Sequence, residues 1–346
     1  MKKPVAAILT VWMTVFGILP VEAATPAFHV SEKASENMSA VDALENTKDY
    51  DYWAKRFPGD KRITLEDLSY SFWEELTIPG LPDTRDSDFQ DRRTSSISLY
   101  PQGMCTAGEY LLITAYSDEE GAPGCLYLFD RETGAYLSTL GLKDTSHLGG
   151  IAFDGENVWI CHSDDNTLQR IPYLYIHAVG KNASGQLIDI SDSIEAYPVQ
   201  NTPSCITCYN GHILVATTSL LLRTQMVSYR FDESALIAEN TYSIPTKVQG
   251  VAVNEDGTVF FSISYGRRNS SQLNIYASLA ELHNPAANPF MTVELPPCSE
   301  EIVIDDNHLL VLFESAGYKY YEGNDGLGRT TAPIDKVLSI DLDCID

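Results

Sequence analysis

The sequence predicts an all-β chain folded as a five-bladed β-propeller, and three observations carry that reading. A two-strand pattern recurs five times from residue 101 onward. Its copies lie about 50 residues apart, the length of one four-stranded blade. The last copy is one strand short, and a strand of matching composition lies upstream of the first. A ring closed by an N-terminal strand has that arrangement, because closure removes the open edges of a linear stack.

The first three copies begin at Pro101, Leu148 and Pro203, and the last two at Val248 and Ser299. Their third positions are Gly103, Gly150, Cys205, Gly250 and Glu301. Each copy reads as a short apolar strand, a tight turn of Asp, Asn or Gly, and a second apolar strand. Those turn residues tolerate the positive φ that two-residue hairpin loops demand. Outer strands are visible too, as Cys125–Asp130 and Ala135–Leu140 in the first repeat and Asn240–Ile244 and Phe290–Leu295 later. In the last repeat Ile302–Ile304, His308–Phe313 and Lys336–Asp341 make three strands, and Glu75–Pro79 is the expected fourth. The alternative is a six-bladed ring with an N-terminal blade. Against it, residues 25–74 hold no hairpin copy and instead carry helix-like stretches, Tyr50–Phe57 and Leu65–Trp73. The expected organisation is therefore a leader at 1–24, a partly helical extension at 25–74, and a propeller at 75–346. A polar linker runs from Asp83 to Ser96.

The leader rests on Lys2 and Lys3, an apolar run from Pro4 to Leu19, and the small-residue exit Val21-Glu-Ala-Ala24. This is the layout of a cleaved secretory signal, and the run is shorter than the roughly 20 residues of a membrane span. The expected location is extracellular or cell-surface, with no transmembrane segment after cleavage.

Composition narrows the partners. The chain has 346 residues, 44% hydrophobic, with 48 acidic side chains against 23 Lys plus Arg and a formal charge of −25. Such a charge repels nucleic acid and anionic membrane surfaces. An extracellular glycan, peptide or small polar molecule is the expected partner, bound by a monomer. Of the seven cysteines, Cys205 and Cys208 form a CxxC. Their flanks read as a strand, where residues three apart face opposite sides. An inert, buried role is expected rather than redox or zinc chemistry, which would need a helix N-terminus or a second CxxC.

Five stretches carry a resemblance to a known group: Tyr100–Met104, Leu111–Tyr116, His147–Ile151, Ser264–Ser271 and Phe313–Ala316. They resemble uncharacterised secreted β-propeller proteins of clostridia-like bacteria, from about Leu76 to the C-terminus. The resemblance implies a propeller and export. It brings no activity and no catalytic residues, and this chain departs from the lipoproteins of that group by lacking a lipid-acceptor cysteine.

In a propeller, the loops entering the innermost strands and those leaving the second strands open on one face, and ligands bind where loops converge on the axis. The entry loops supply Tyr100, Gln102, His147, Lys247, Gln249, Glu300 and Glu301. The exit loops supply Tyr116, His162, Asp164, Tyr265, Arg267, Arg268 and Glu314. The ligand-binding set expected from them is Tyr100, Gln102, Tyr116, His147, His162, Lys247, Gln249, Tyr265, Arg267, Glu300 and Glu314. Gln102 and Gln249 fall at equivalent positions, which suits a bond between blades as well as a ligand contact. Recognition of a polar ligand without a cofactor is one functional reading. The other is a metal-assisted hydrolase, lactonase- or glycosidase-like, using Glu300, Glu301 or Glu314 with His147 or His162 and a divalent cation. Neither a Gly-x-Ser-x-Gly elbow nor a Ser-His-Asp set is evident.

Overall fold

A computed structural model describes residues 61–181 and 185–345. The chain enters through β1 (Lys61–Thr64) and β2 (Tyr70–Phe72), then the short helix α1 (Arg85–Gln90). Blade one is β3 (Leu99–Ala107), β4 (Tyr110–Ser117), β5 (Cys125–Asp130) and β6 (Tyr136–Gly141). Blade two starts with β7 (Ile151–Phe153), β8 (Asn157–His162) and β9 (Thr167–Pro172). Helix α2 (Tyr173–Lys181) then leads to β10 (Leu187–Asp189), a parallel fifth strand on blade one, before β11 (Glu195–Pro198) completes blade two.

Blade three is β12 (Cys205–Tyr209), β13 (His212–Ala216), β14 (Thr224–Phe231) and β15 (Leu236–Ile244). Blade four is β16 (Val248–Val253), β17 (Val259–Ile263), β18 (Ser271–Tyr276) and β19 (Met291–Leu295), with β1 added parallel along β19. Blade five holds β20 (Ser299–Asp305), β21 (His308–Phe313) and β22 (Leu338–Asp341), and β2 pairs antiparallel with β22 as its outer strand. The described residues thus form five sheets, and the protein is a five-bladed β-propeller closed by an N-terminal strand.

The apolar alternation of each strand explains the ring. Side chains of one sheet face meet those of the next blade, so each interface holds its own core. Val158 and Ile160 pack with Leu112 and Leu126 between blades one and two. Trp159 packs with Val215 and Tyr229 between two and three, and Phe261 with Leu214 and Met226 between three and four. Phe260 and Ile275 meet Leu309 and Ile340 between four and five, and Leu312 meets Ile113 and Tyr127 between five and one. The hairpin turns follow the sequence chemistry: Asn210 and Gly211 both take positive φ, 48° and 75°, in the two-residue turn between β12 and β13.

The closing strand lies five residues upstream of its expected place. Tyr70, Ser71 and Phe72 pair with Ile340, Ser339 and Leu338, whereas Glu75–Pro79 forms no strand. Leu76 and Ile78 are instead buried between blades five and one. Pro79 cannot donate a ladder hydrogen bond, and Gly80 turns the chain with φ of 85°. Likewise Leu65–Trp73 is not helical: a single 3₁₀ turn, Leu65–Asp67, precedes β2. Pairing with β22 and insertion of Leu65 between blades four and five override the local pattern. The ring therefore takes in residues from Lys61 on, earlier than the boundary at 75. The expected helix at Tyr50–Phe57 and the leader at 1–24 lie outside the described residues. Within Asp83–Ser96, α1 replaces the expected plain linker.

Close packing near the axis accounts for the glycines at three of the five third copy positions, Gly103, Gly150 and Gly250. A Cβ on Gly150 would stand 2.8 Å from Cys205 Cα, and one on Gly250 would stand 2.7 Å from Glu301 Cα. Between blades, Thr114 Oγ1 donates to Leu148 O at 2.9 Å, and the hydroxyls of Ser262 and Ser299 bond at 2.7 Å. Cys205 and Cys208 face opposite interfaces as expected, and all seven cysteines are unpaired thiols. No helix among the described residues is long and apolar enough to cross a membrane.

Candidate functional site

The site begins with breaks in strand register. β3 bulges between Pro101 and Met104, β16 between Val248 and Gly250, and β20 between Ser299 and Ile302. A bulge leaves residues unpaired and re-aims their side chains. In blade one it releases Gln102, and in blade five Glu300 and Glu301. Glu314 follows the end of β21, its amide bonded to Cys298 O at 3.1 Å.

Three of these groups converge. Gln102 Nε2 donates to Glu314 Oε2 at 2.8 Å, crossing from blade one to blade five. Glu300 and Glu314 are hydrogen-bonded to one another, and the Tyr320 hydroxyl also reaches Glu314. Glu300 is 4% exposed and Glu314 8%. Two carboxyls so close, with so little water, cannot both ionise. Burial and then the Glu314 charge push Glu300 well above the ordinary carboxylate range. Glu314 is also raised by burial, but less, since the Lys319 ammonium and donated hydrogen bonds stabilise its charge. Of the two, Glu300 is pushed further towards its protonated form.

Above the pair lies an aromatic cluster. Tyr100 and Tyr116 are opposite each other in the β3–β4 ladder, with ring centroids 5.2 Å apart. The Tyr100 hydroxyl donates to Asp118 Oδ2 at 2.9 Å. His147 stacks on Tyr116 at 4.2 Å. It keeps an exposed edge, while its crowded ring and the Lys319 ammonium hold it down to about 4, so it is neutral at pH 7. Burial raises the phenols of Tyr100, Tyr116 and Tyr320 above the usual tyrosine range, so all three stay protonated donors.

Lys319 and Tyr320 belong to α3 (Tyr318–Glu322), part of a long connection between β21 and β22 that folds over the mouth of the ring. Lys319 Nζ lies 4.2 Å from the Tyr100 ring centre and 5.0 Å from those of Tyr116 and Tyr320. It donates to Tyr116 Oη at 2.5 Å. Sequence reasoning missed both residues, because the connection belongs to no hairpin copy. The available signal was the long gap after Phe313 in a repeat otherwise built from short turns.

The remaining expected residues divide differently. Arg267 is engaged as a clamp: its guanidinium pairs with Asp325, donates to Lys319 O at 3.1 Å and Gly328 O at 2.7 Å, and lies 4.6 Å from the Tyr320 ring centre. His162 is held by Asp144 at 2.5 Å, with Asp165 on its other nitrogen, so it is not joined to His147. On blade four, Lys247 Nζ lies over the exposed Tyr265 ring at 4.6 Å, and Gln249 is half-buried without repeating the bond of Gln102. Glu301 turns to the axis, where Oε1 accepts from the Val251 and Ile302 amides at 3.0 and 3.2 Å. Among the described residues no group of three or more His, Cys, Asp and Glu is placed to hold a metal ion. The opposite face carries a separate axial pocket of about 160 Å³, lined by residues of all five inner strands, Cys105 and Cys208 among them.

No family model matches the chain, and no curated protein does. Among solved structures, the chain is similar to the glutaminyl cyclase of Myxococcus xanthus, at 8% identity and a TM-score of 0.47, over 81% of this chain and 99% of that one. It is similar too to the PQQ-bound aldose sugar dehydrogenase of Streptomyces coelicolor, at 12% identity and a TM-score of 0.44, over 72% and 96%. These are likenesses of chain path at low identity.

Proposed function

We propose that the protein is exported and acts as a monomeric recognition module, binding a polar extracellular ligand in the funnel of the face described above. The ligand classes are a glycan, a peptide or a cell-wall fragment. One observation carries this reading: Gln102, Glu300, Glu314, Tyr100, Tyr116 and His147 come from three blades and meet at one end of the ring axis. All but the exposed His147 are buried, and burying carboxyls this far costs stability that a binding role would account for. Their donors and acceptors suit hydroxyl, amide or ammonium groups of a ligand. The sequence resemblance to secreted propellers and the charged-apolar-small layout of residues 1–24 support export.

A second reading has its own observation. The Glu300–Glu314 pair places two carboxyls in contact, both raised and Glu300 further than Glu314, and unequal carboxyls of this kind are the equipment of general acid–base hydrolysis. Glycosidase carboxyls stand about 5–5.5 Å apart in retaining enzymes and about 6.5–9.5 Å apart in inverting ones, whereas these two are in contact, which favours recognition.

The test is a melting-temperature screen of the mature chain against oligosaccharides, short peptides and peptidoglycan fragments, with hydrolysis followed on the same panel. Recognition predicts a shift of several degrees with one class, lost in Glu314→Gln and Tyr116→Phe, with no ligand turnover. Turnover that vanishes in Glu300→Gln and Glu314→Gln would establish the hydrolase instead. Binding that survives both Glu314→Gln and Tyr116→Phe would place the ligand elsewhere.

A further inference from the structure

The funnel floor already holds a cation, and that cation comes from the chain's own cover. Lys319 Nζ sits among three tyrosine rings at 4.2, 5.0 and 5.0 Å and bonds to the Tyr116 hydroxyl, with the Glu300–Glu314 pair beside it. Ring faces carry negative quadrupole potential, so several of them around one point form a box for an alkylammonium, strengthened when water is excluded. A carboxylate beside the box adds a full charge and hydrogen-bond acceptors. Two of its three walls, Tyr100 and Tyr116, come from blade one, whereas the lysine comes from α3. The third wall, Tyr320, travels with the lysine on α3, so a lifted cover leaves a two-walled Tyr100–Tyr116 face beside the carboxyls.

The cover is built as a unit and fastened at several points: Arg85 stacks on Tyr318 at 4.4 Å and reaches Glu322, the Lys319 amide donates to Tyr100 Oη at 3.2 Å, and Arg267 makes the largest set of bonds. Its glycines Gly323, Gly326 and Gly328 take positive φ, so the loop turns tightly after α3. Thr330 N bonds to Tyr320 O at 2.8 Å and closes the loop on itself. Arg267 of blade four then holds it through Asp325, Gly328 O and Lys319 O, and Thr330 Oγ1 returns a bond to Arg267 O at 3.1 Å.

We infer that the tyrosine box is an ammonium subsite, that the ligand of the funnel presents a primary amine, and that Lys319 is a resident stand-in which the ligand displaces as the cover lifts. This inference rests on the funnel being the binding site and adds the chemistry of its ligand. A peptide N-terminus, a lysine side chain or an amino sugar carries the required group, whereas their N-acetylated forms do not.

The experiment titrates matched probe pairs, triglycine with N-acetyl-triglycine and glucosamine with N-acetylglucosamine, into the full chain and its Lys319→Ala and Asp325→Ala variants, read by calorimetry. Free-amine probes are expected to bind wild type weakly. They should bind Lys319→Ala about tenfold tighter and Asp325→Ala severalfold tighter, because the first removes the competitor and the second loosens its fastening. Asp325→Ala retains Lys319, so a gain there does not reflect filling of an engineered hole. Melting curves of both variants verify folding, and Lys319→Met serves if the alanine variant does not fold. Affinity equal in wild type and both variants would overturn the inference. So would equal binding of the acetylated partners, and if that binding is lost in Glu314→Gln the funnel reading survives alone. Binding of none of the four probes to any variant would overturn the ammonium subsite, and the wider ligand screen would then decide the funnel.

Discussion

Glu301 condenses the electrostatics of the ring into one side chain. It is fully buried on the axis, accepts the Val251 and Ile302 amides through Oε1, and has the Ile206 amide beside the carboxyl as well. Burial raises its pKa well above the ordinary range, as burial and then the Glu314 charge do for Glu300. A raised carboxyl binds its proton more tightly folded than unfolded. Its contribution is therefore complete below the unfolded value near 4.5 and is lost as pH climbs through the folded value. The protein should become more stable as pH falls from 8 towards 5. Glu301→Gln keeps the acceptor and removes the titration, so urea unfolding of this variant should show a flatter slope over that window. An unchanged slope would mean that Glu301 does not titrate there. At this scale the sequence was half legible. Residue type and repeat position placed Gln102, Glu300 and Glu314 on one face, because the repeat fixes where each strand begins. The partners of Arg267 and His162 were not legible, because they sit on Asp325 and Asp144, in loops that belong to no hairpin copy.

Among elements, β2 and the cover loop matter most, and both lie outside the repeat. The repeat favoured five blades over six and put the outermost strand at Glu75–Pro79, with Leu65–Trp73 read as helix-like, although Tyr70–Phe72 and Leu76–Ile78 are both short, alternating and apolar. What separates them is Pro79 with Gly80, which turns the second segment into the core between blades five and one. Leu65, wholly buried between blades four and five, anchors β2 from one side. Its truncation to alanine should cost about 2–5 kcal/mol in chemical denaturation. A chain starting at residue 75 loses Leu65, β1 and β2 together, and exposes the edge of β22. Its melting temperature should fall by about 10 °C or more, given some 2–4 °C per kcal/mol at this size. If a chain from residue 75 melts with the full chain, the N-terminal strands do not close the ring. The cover loop invites a parallel measurement. Asp325→Ala removes the partner of Arg267 and should speed amide exchange over Tyr318–Glu322, with the blade strands unchanged. Equal exchange there would show that Arg267 is not the main fastening.

For the whole molecule, five interfaces with one apolar core apiece produce a ring with two unlike ends. One end has a small pocket lined by the five inner strands, with Thr106, Thr207 and the Cys105 and Cys208 thiols among its apolar side chains. The other collects buried carboxyls, tyrosines and a lysine under a loop clamped by arginine. The chain's acidity leaves Lys319 and Arg267 as notable exceptions, and both are spent at this end, one inside the tyrosine box and one on the cover. The central claim is that ligand enters here. Hydrogen–deuterium exchange of the native chain, with and without a saturating ligand from the oligosaccharide and peptide panel, tests it most directly. Slower exchange is expected at Gln102–Met104 and Ser299–Ile302 on the funnel floor, with faster exchange in Tyr318–Glu322 as the cover lifts. Protection confined to the opposite pocket, around Cys105 and Cys208, would contradict it.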